Sequence, residues 1–269
     1  MVQPLPNLRP RRRDWRCIQR LGNVPGMIQI PSKCHGRVLV FIPTYNDVEQ
    51  LAAIITEVHE LNIAATILVL DDGSMEPVVT ALHQLDCLHF RLPANFGLGV
   101  CTQIAFDHAL RHEYDAIIRV DADGQHPVTE IPALLELLEN DEADVVVATR
   151  GNRDQGSGQR AFFSRIARSY LSTLAWLLTS GSAPSDVNSG FFAANQSALK
   201  KLNANQLERF PEPQMYVLAC RLGLRVGAIV VVQLARQERT STVTVSHGLR
   251  LAYRFSIFAL SELIQGRRA

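Results

Sequence analysis

Ile118-Arg119-Val120-Asp121-Ala122-Asp123-Gly124-Gln125-His126-Pro127 is the stretch on which the reading of this chain turns. An apolar run, residues 116–120, ends in a carboxylate-rich turn, and Pro127 opens a helical pattern over residues 128–139. If the turn is extended, alternate side chains share a face, so Asp121, Asp123 and Gln125 point one way. Two carboxylates and an amide oxygen form an oxygen-only cluster, which suits a hard cation such as Mg²⁺ or Mn²⁺. At the C-terminal end of a buried strand, such a cluster sits where open α/β sheets bind ligands. Taken alone, the same residues are equally an acidic strand-to-helix turn with Asp123 as its cap. The surrounding chain decides between the two.

Upstream, residues 38–42 are a short β-branched apolar run closed by Pro43-Thr44-Tyr45-Asn46-Asp47. Leu51, Ile54, Ile55, Val58 and Leu61 then recur at helical spacing, and a second apolar run, 66–70, ends in Asp71-Asp72-Gly73-Ser74. Strand, helix, strand reads as a right-handed parallel crossover. Asp71 and Asp72 suit a simple turn, but their place at a strand end repeats the Asp121 geometry. That favours carboxylates accepting hydrogen bonds from a nucleotide base or ribose. A helical stretch is expected at 78–85 and a third strand at 88–92. Asn95-Phe96-Gly97-Leu98-Gly99 then leads into a helix at 100–110, and its two glycines would let a ligand approach the backbone. Neither G-x-G-x-x-G nor a phosphate-loop lysine is present there. Downstream, a fifth apolar run, 144–149, is closed by Arg150. The β/α alternation predicts a doubly wound, mostly parallel sheet flanked by helices.

Beyond Arg150 the pattern changes. Residues 151–158 are polar and glycine-rich, as a mobile loop would be, and 160–180 have the apolar content of a buried or interface helix. Asp186-Val187-Asn188-Ser189-Gly190-Phe191-Phe192 reads as a second ligand-binding turn. Phe210-Pro211-Glu212-Pro213-Gln214 brackets one carboxylate rigidly between prolines. Residues 226–234 are strand-like, and 236–246 are basic and hydroxyl-rich, with Arg236, Arg239, Thr240, Ser241, Thr242 and Thr244. The last segment has a broad apolar face, including Tyr253, Phe255, Ile257, Leu260 and Ile264. Such a face packs on the core or on a second subunit, or lies in a membrane interface. Three parts are expected: an irregular basic segment 1–36, a main domain 37–246 and an amphipathic helix 247–269.

Composition bounds the function. The chain has 269 residues, 47% of them apolar, and a net charge of +1, which excludes a nucleic-acid binder working by bulk charge. Six arginines nevertheless crowd the first twenty residues, an arrangement suited to a solvated tail or to an anionic membrane surface. The five cysteines have no metal or disulfide spacing, so reduced thiols and a cytoplasmic location are expected. No signal peptide or transmembrane run stands out.

Taken together, these motifs resemble the inverting glycosyltransferase family 2, with its GT-A nucleotide-sugar fold. The resemblance rests on Pro43-Thr44-Tyr45-Asn46, Asp71-Asp72-Gly73-Ser74, Asn95-x-Gly97-Leu98-Gly99, Asp121-Ala122-Asp123-Gly124-Gln125-His126-Pro127 and Asn188-Ser189-Gly190-Phe191, in order, over residues 38–245. Within the family the chain is most similar to polyprenyl-phosphate sugar synthases and bacterial cell-surface polysaccharide transferases. The resemblance implies a nucleotide-sugar donor and a polyprenyl-phosphate or saccharide acceptor. It implies Pro43, Tyr45, Asp72 and Asn95 near the nucleotide, Asp121 at the ribose or sugar, and Asp123 and Gln125 on a divalent metal. Arg150 would face the sugar phosphate, and Arg236 and Ser241 would belong to a loop closing over the diphosphate. The synthases carry Gly before that serine and Lys after it, where this chain has Thr240 and Thr242, a departure pointing away from the mannose synthases in particular. If the acceptor is a hydroxyl, a general base is required, with Asp186 preferred over Glu212; a phosphate acceptor needs none. Peripheral contact with the cytoplasmic membrane face, and self-association, are the expected partnerships. The competing readings are a nucleotidyltransferase, which would want a glycine- and arginine-rich loop with a lysine after the first strand, and a non-catalytic nucleotide-sugar-binding subunit.

Overall fold

A computed structural model of the chain describes residues 37–76, 78–82, 85–151, 159–232 and 245–265. The basic segment 1–36, the glycine-rich stretch 152–158, Arg236 and Ser241 lie outside the described residues. A seven-stranded sheet has the order β3-β2-β1-β4-β6-β5-β7. Its strands are β1 (Val38–Thr44), β2 (Ala65–Asp71), β3 (Leu88–Arg91), β4 (Ala116–Arg119), β5 (Val145–Arg150), β6 (Phe192–Asn195) and β7 (Val226–Val231). β1 pairs in parallel with β2 and β4, β2 with β3, and β5 with β7. β6 runs antiparallel to both of its neighbours.

The central strands are continuous apolar runs because both sheet faces are covered. Leu39 and Phe41 point into one core with Leu68, Leu70 and Ile117, while Val38, Val40 and Ile42 point into the other with Ile67, Val69 and Ile118. The period of two in the side chains thus feeds two cores from one strand. Helices α1 (Leu51–Glu60) and α3 (Ile131–Glu139) cover the second core through Ile54, Ile55, Leu134 and Leu135. The first core is covered by α2 (Leu98–Arg111), α4 (Gln159–Leu178), α5 (Gln196–Asn203), α6 (Glu212–Arg221) and α7 (Val245–Gln265).

Three expectations change. Where a helix is expected at 78–85, the described residues hold one 3₁₀ turn, Val78–Thr80, with Val78 and Leu82 buried in the core. Phe192 begins a strand as well as ending a turn: β6 is four residues long, too short for periodicity to separate strand from loop. The two prolines around Glu212 do not rigidify a loop but open α6, where a proline lacks no hydrogen bond that the first turn would use.

The topology gathers one edge. β1, β2 and β4 all finish there, β6 starts there because it is reversed, and Arg150 ends β5 on the same side. Phe192 faces Arg119 across the sheet, and Thr44 faces Asp71. Loops from far-separated parts of the chain therefore share a single rim.

Candidate active site

Arg119 is the last residue of β4 and only 2% exposed. Its Nε and Nη2 both donate to Asp121 Oδ1, at 2.9 and 2.7 Å, and its Nη1 donates to Glu212 Oε1 at 2.7 Å. Burial works against the Arg119 charge, but the two carboxylates outweigh it and hold the guanidinium above its ordinary pKa. Burial likewise pushes the Asp121 carboxyl up, and Arg119 then His126 overcome it and hold it below the usual range. His126 Nδ1 accepts the Asp121 backbone N–H at 3.0 Å, and its ring stacks on Phe191. Burial lowers the His126 pKa, so the neutral ring carries its proton on Nε2, 3.7 Å from Asp121 Oδ2.

Gly190 closes over this cluster. A Cβ there would stand 2.5 Å from Asp121 Oδ2 and 2.7 Å from Arg119 Nη2. The turn before it is held by Tyr216, whose OH donates to the Ser189 carbonyl at 2.6 Å, and by Ser189 Oγ donating to the Ala148 carbonyl at 2.6 Å.

Beside it lies a second pair. Arg150 Nε and Nη2 donate to Asp186 Oδ2 and Oδ1 at 2.5 and 2.9 Å, a bidentate fork. Burial raises the Asp186 pKa, but Arg150 more than reverses this and leaves the carboxylate a weaker base than usual. Asp186, the preferred base from sequence, is therefore engaged as a clamp on Arg150. Glu212, the alternative, is tied to Arg119 and buried.

Asp123 is partly exposed. The Gln125 backbone N–H donates to its Oδ1 at 3.1 Å and Gln125 Nε2 to its Oδ2 at 2.8 Å. The Gln125 amide thus turns its nitrogen, not its oxygen, toward the carboxylate, and acts here as a support for Asp123. Among the described residues, no three His, Cys, Asp or Glu side chains gather as a metal cage. This donor set fits a Mg²⁺-like ion, which takes one or two protein carboxylates and completes its shell with substrate phosphates and water.

The end of the rim formed by β1 and β2 is tightly tied. Pro43 is buried in β1, whereas Tyr45 is 45% exposed. Asp72 accepts the Phe96 and Gly97 backbone N–H groups at 2.8 Å each, so both of its oxygens hold the following loop. Asn95 Oδ1 accepts from Arg209 Nη2. The glycines after it make room for the protein's own 207–209 segment: Gly97 for the Arg209 side chain and Gly99 for the 207–208 backbone. A Cβ on Gly99 would overlap the Glu208 carbonyl oxygen, with the Leu207 carbonyl oxygen close by. Backbone cannot rotate aside as a side chain can, so Gly99→Ala is expected to destabilise by about 3 kcal/mol. That corresponds to a fall of about 6–12 °C in melting temperature for a chain of this size, which calorimetry would register.

A carboxylate turn thus stands with arginine-held neighbours at the C-terminal rim of an α/β sheet, and most of this chain's sequence matches a family model. The model for glycosyl transferase family 2 covers residues 39–202. The chain belongs to glycosyl transferase family 2. Polyprenol monophosphomannose synthase of Mycolicibacterium smegmatis is 30% identical over 242 residues, 86% of this chain and 88% of that protein. Undecaprenyl-phosphate mannosyltransferase of Micrococcus luteus is 26% identical over 219 residues, 75% of this chain and 85% of that protein. Among solved structures, glucosyl-3-phosphoglycerate synthase from Mycobacterium tuberculosis, in complex with Mn²⁺, uridine-diphosphate and glucosyl-3-phosphoglycerate, has a TM-score of 0.62. At 19% identity, over 84% of this chain and 80% of that one, it shows a shared GT-A fold. The family 2 glycosyltransferase thus keeps the strand-end motifs that its sequence displayed. Arg119, Gly190, His126 and Tyr216 were present in the quoted motifs or near them, but their roles depend on partners far away in the chain. The one local signal was Arg119 itself, a charge inside an otherwise apolar strand.

Proposed function

We propose that this chain is an inverting transferase that moves a sugar from a nucleotide-diphosphate sugar onto a polyprenyl phosphate at a membrane surface. The observation that carries the acceptor class is that both candidate bases are engaged: Asp186 by Arg150 and Glu212 by Arg119. A hydroxyl acceptor needs a base to take its proton, whereas a phosphate oxygen is already anionic at neutral pH. The relatives named for polyprenol and undecaprenyl-phosphate mannosyl transfer support the same acceptor.

In this reading Tyr45 flanks the nucleotide base, the loop held by Asp72 shapes the rim, and Asp121 Oδ2 faces the ribose or sugar. Asp123 would hold the divalent ion, which supplies Lewis-acid stabilisation of the departing diphosphate. Arg150 and Arg236 provide planar cationic donors suited to phosphate. The acceptor oxygen attacks the anomeric carbon opposite the leaving group, and the carbon–oxygen bond to the diphosphate breaks as the new one forms.

A membrane location is supported by an exposed apolar face. On α7, Tyr253, Ile257, Leu260 and Ile264 recur at helical spacing on the side away from buried Phe255 and Ala259. Ile166, Tyr170, Trp176 and Leu177 of α4 are also exposed, and Tyr170 OH and Ser256 Oγ meet at 2.7 Å between the helices. Arg209, Arg250 and Arg254 line a trough of about 720 Å³ along the α7 edge with Phe210 and Tyr253. Arginines beside exposed aromatic and aliphatic residues suit an anionic lipid surface. No helix among the described residues is long and apolar enough to cross a membrane.

The test is a panel of UDP-, GDP-, dTDP- and CDP-sugars, each with and without Mn²⁺, read by thermal stability, followed by transfer to polyprenyl phosphate in anionic vesicles. One nucleotide class at a hundredfold excess over its Kd should stabilise by about 2.7 kcal/mol, and only with metal. Label should then enter the lipid. A flat panel, or transfer to saccharide hydroxyls but not to lipid phosphate, would overturn the reading.

A further inference from the structure

We infer that Arg119 is a positioning residue for the donor: it fixes the rotamer of Asp121 from the protein side and ties it to the start of α6. The inference rests on the reading above that Asp121 faces the donor. Arg119 and Asp121 are two residues apart at the end of an extended strand, so they leave the backbone on one side. Two guanidinium nitrogens converge on the same oxygen, Asp121 Oδ1, which leaves Oδ2 as the oxygen turned away from Arg119. The third nitrogen reaches Glu212, ninety-three residues away in sequence, at the first turn of α6. One planar side chain therefore sets both the angle of the Asp121 carboxylate and its distance from α6.

A role in filling space does not account for this residue. Burying one cation with two carboxylates is costly relative to apolar packing of similar volume, and the strand around Arg119 is otherwise apolar. Lysine could supply the charge but not the fork, since its ammonium is a single point donor on a flexible stem. Gly190 points the same way, because its missing Cβ leaves the guanidinium and carboxylate side by side under the 186–191 turn. Arg119, 2% exposed and bonded to both carboxylates, is fixed in this arrangement.

The test uses the full chain and two variants. Arg119→Met combined with Glu212→Gln removes one positive and one negative charge, so the buried cluster keeps its net charge of −1 (+1 − 2 in the parent, 0 − 1 in the variant). Arg119→Lys keeps the charge without the fork. Binding of UDP, GDP, dTDP and CDP, each with Mn²⁺, is measured by calorimetry, and donor KM and kcat are measured separately. The expected result is folded protein with nucleotide affinity at least about tenfold weaker in both variants, and donor KM raised more than kcat is lowered. If the double variant does not fold, Arg119→Lys decides alone. Parental affinity in a folded variant overturns the positioning role while leaving the donor reading intact. A parent that binds none of the four nucleotides with metal removes the donor reading, and this inference with it.

Discussion

Asp123→Ala is expected to slow sugar transfer by roughly a hundredfold or more while the protein stays folded. The loss follows from what a divalent ion does in such a reaction, where its stabilisation of charge on the leaving group is worth several kcal/mol. Each 1.36 kcal/mol of barrier is a factor of ten in rate. The fold should survive, because the hydrogen bonds of Asp123 run to Gln125 in its own turn and it is partly open to solvent. No strand or helix depends on it. The measurement is initial rate against Mn²⁺ concentration, with circular dichroism as the control for folding. A variant at parental rate and parental metal dependence would move the ion to another residue.

Gly190→Ala should lower donor-dependent turnover by about a hundredfold, by geometry rather than by removing any functional group. Its new methyl would meet Asp121 Oδ2 at 2.5 Å and Arg119 Nη2 at 2.7 Å. Side-chain ends can often swing clear, but here they cannot easily do so. Arg119 is buried and held by Asp121 and Glu212 together, and the Gly190 backbone is held from the other side by Tyr216 and Ser189. The yielding group is the partly exposed Asp121 carboxylate, and a shift of about 1 Å in a substrate-positioning residue can cost that much. Donor KM and kcat in the alanine variant check it, with melting temperature as a second readout. A variant that keeps parental kinetics would show that the cluster tolerates displacement, and would weaken the case for Asp121 at the donor.

The two variants probe different halves of one turn. Asp123 is held by Gln125 in its own turn; Asp121 is held by Arg119, which is itself tied to Glu212 93 residues away. This difference explains how much of the site could be read from the chain. The strand ends and their polar closures were legible, because each is a contiguous apolar run followed within a few residues by Asp, Asn or Gly. The acidic turn that carries Asp123 was legible for the same reason. The pairings of the arginines were not. Arg150 meets Asp186 across 36 residues and Arg119 meets Glu212 across 93, and nothing local announces either partner. Asp186 and Glu212 read only as candidate bases for a hydroxyl acceptor, with neither arginine partner in view. Gly97 and Gly99 misled in the opposite sense: a glycine reports only that something comes close, and here that something is the protein's own 207–209 segment.

By itself the sequence determined the β/α alternation, the doubly covered sheet and the acidic turn at residues 121–125, since hydrophobic period and turn chemistry act over a few residues at a time. It determined the family as well, through five motifs kept in order. Only the tertiary structure decided that β6 runs backwards through the sheet, that the prolines beside Glu212 open a helix, and which carboxylates are claimed by arginines. Those outcomes depend on which surfaces meet once both cores are buried, and that choice is made by packing between elements rather than by any one stretch of chain.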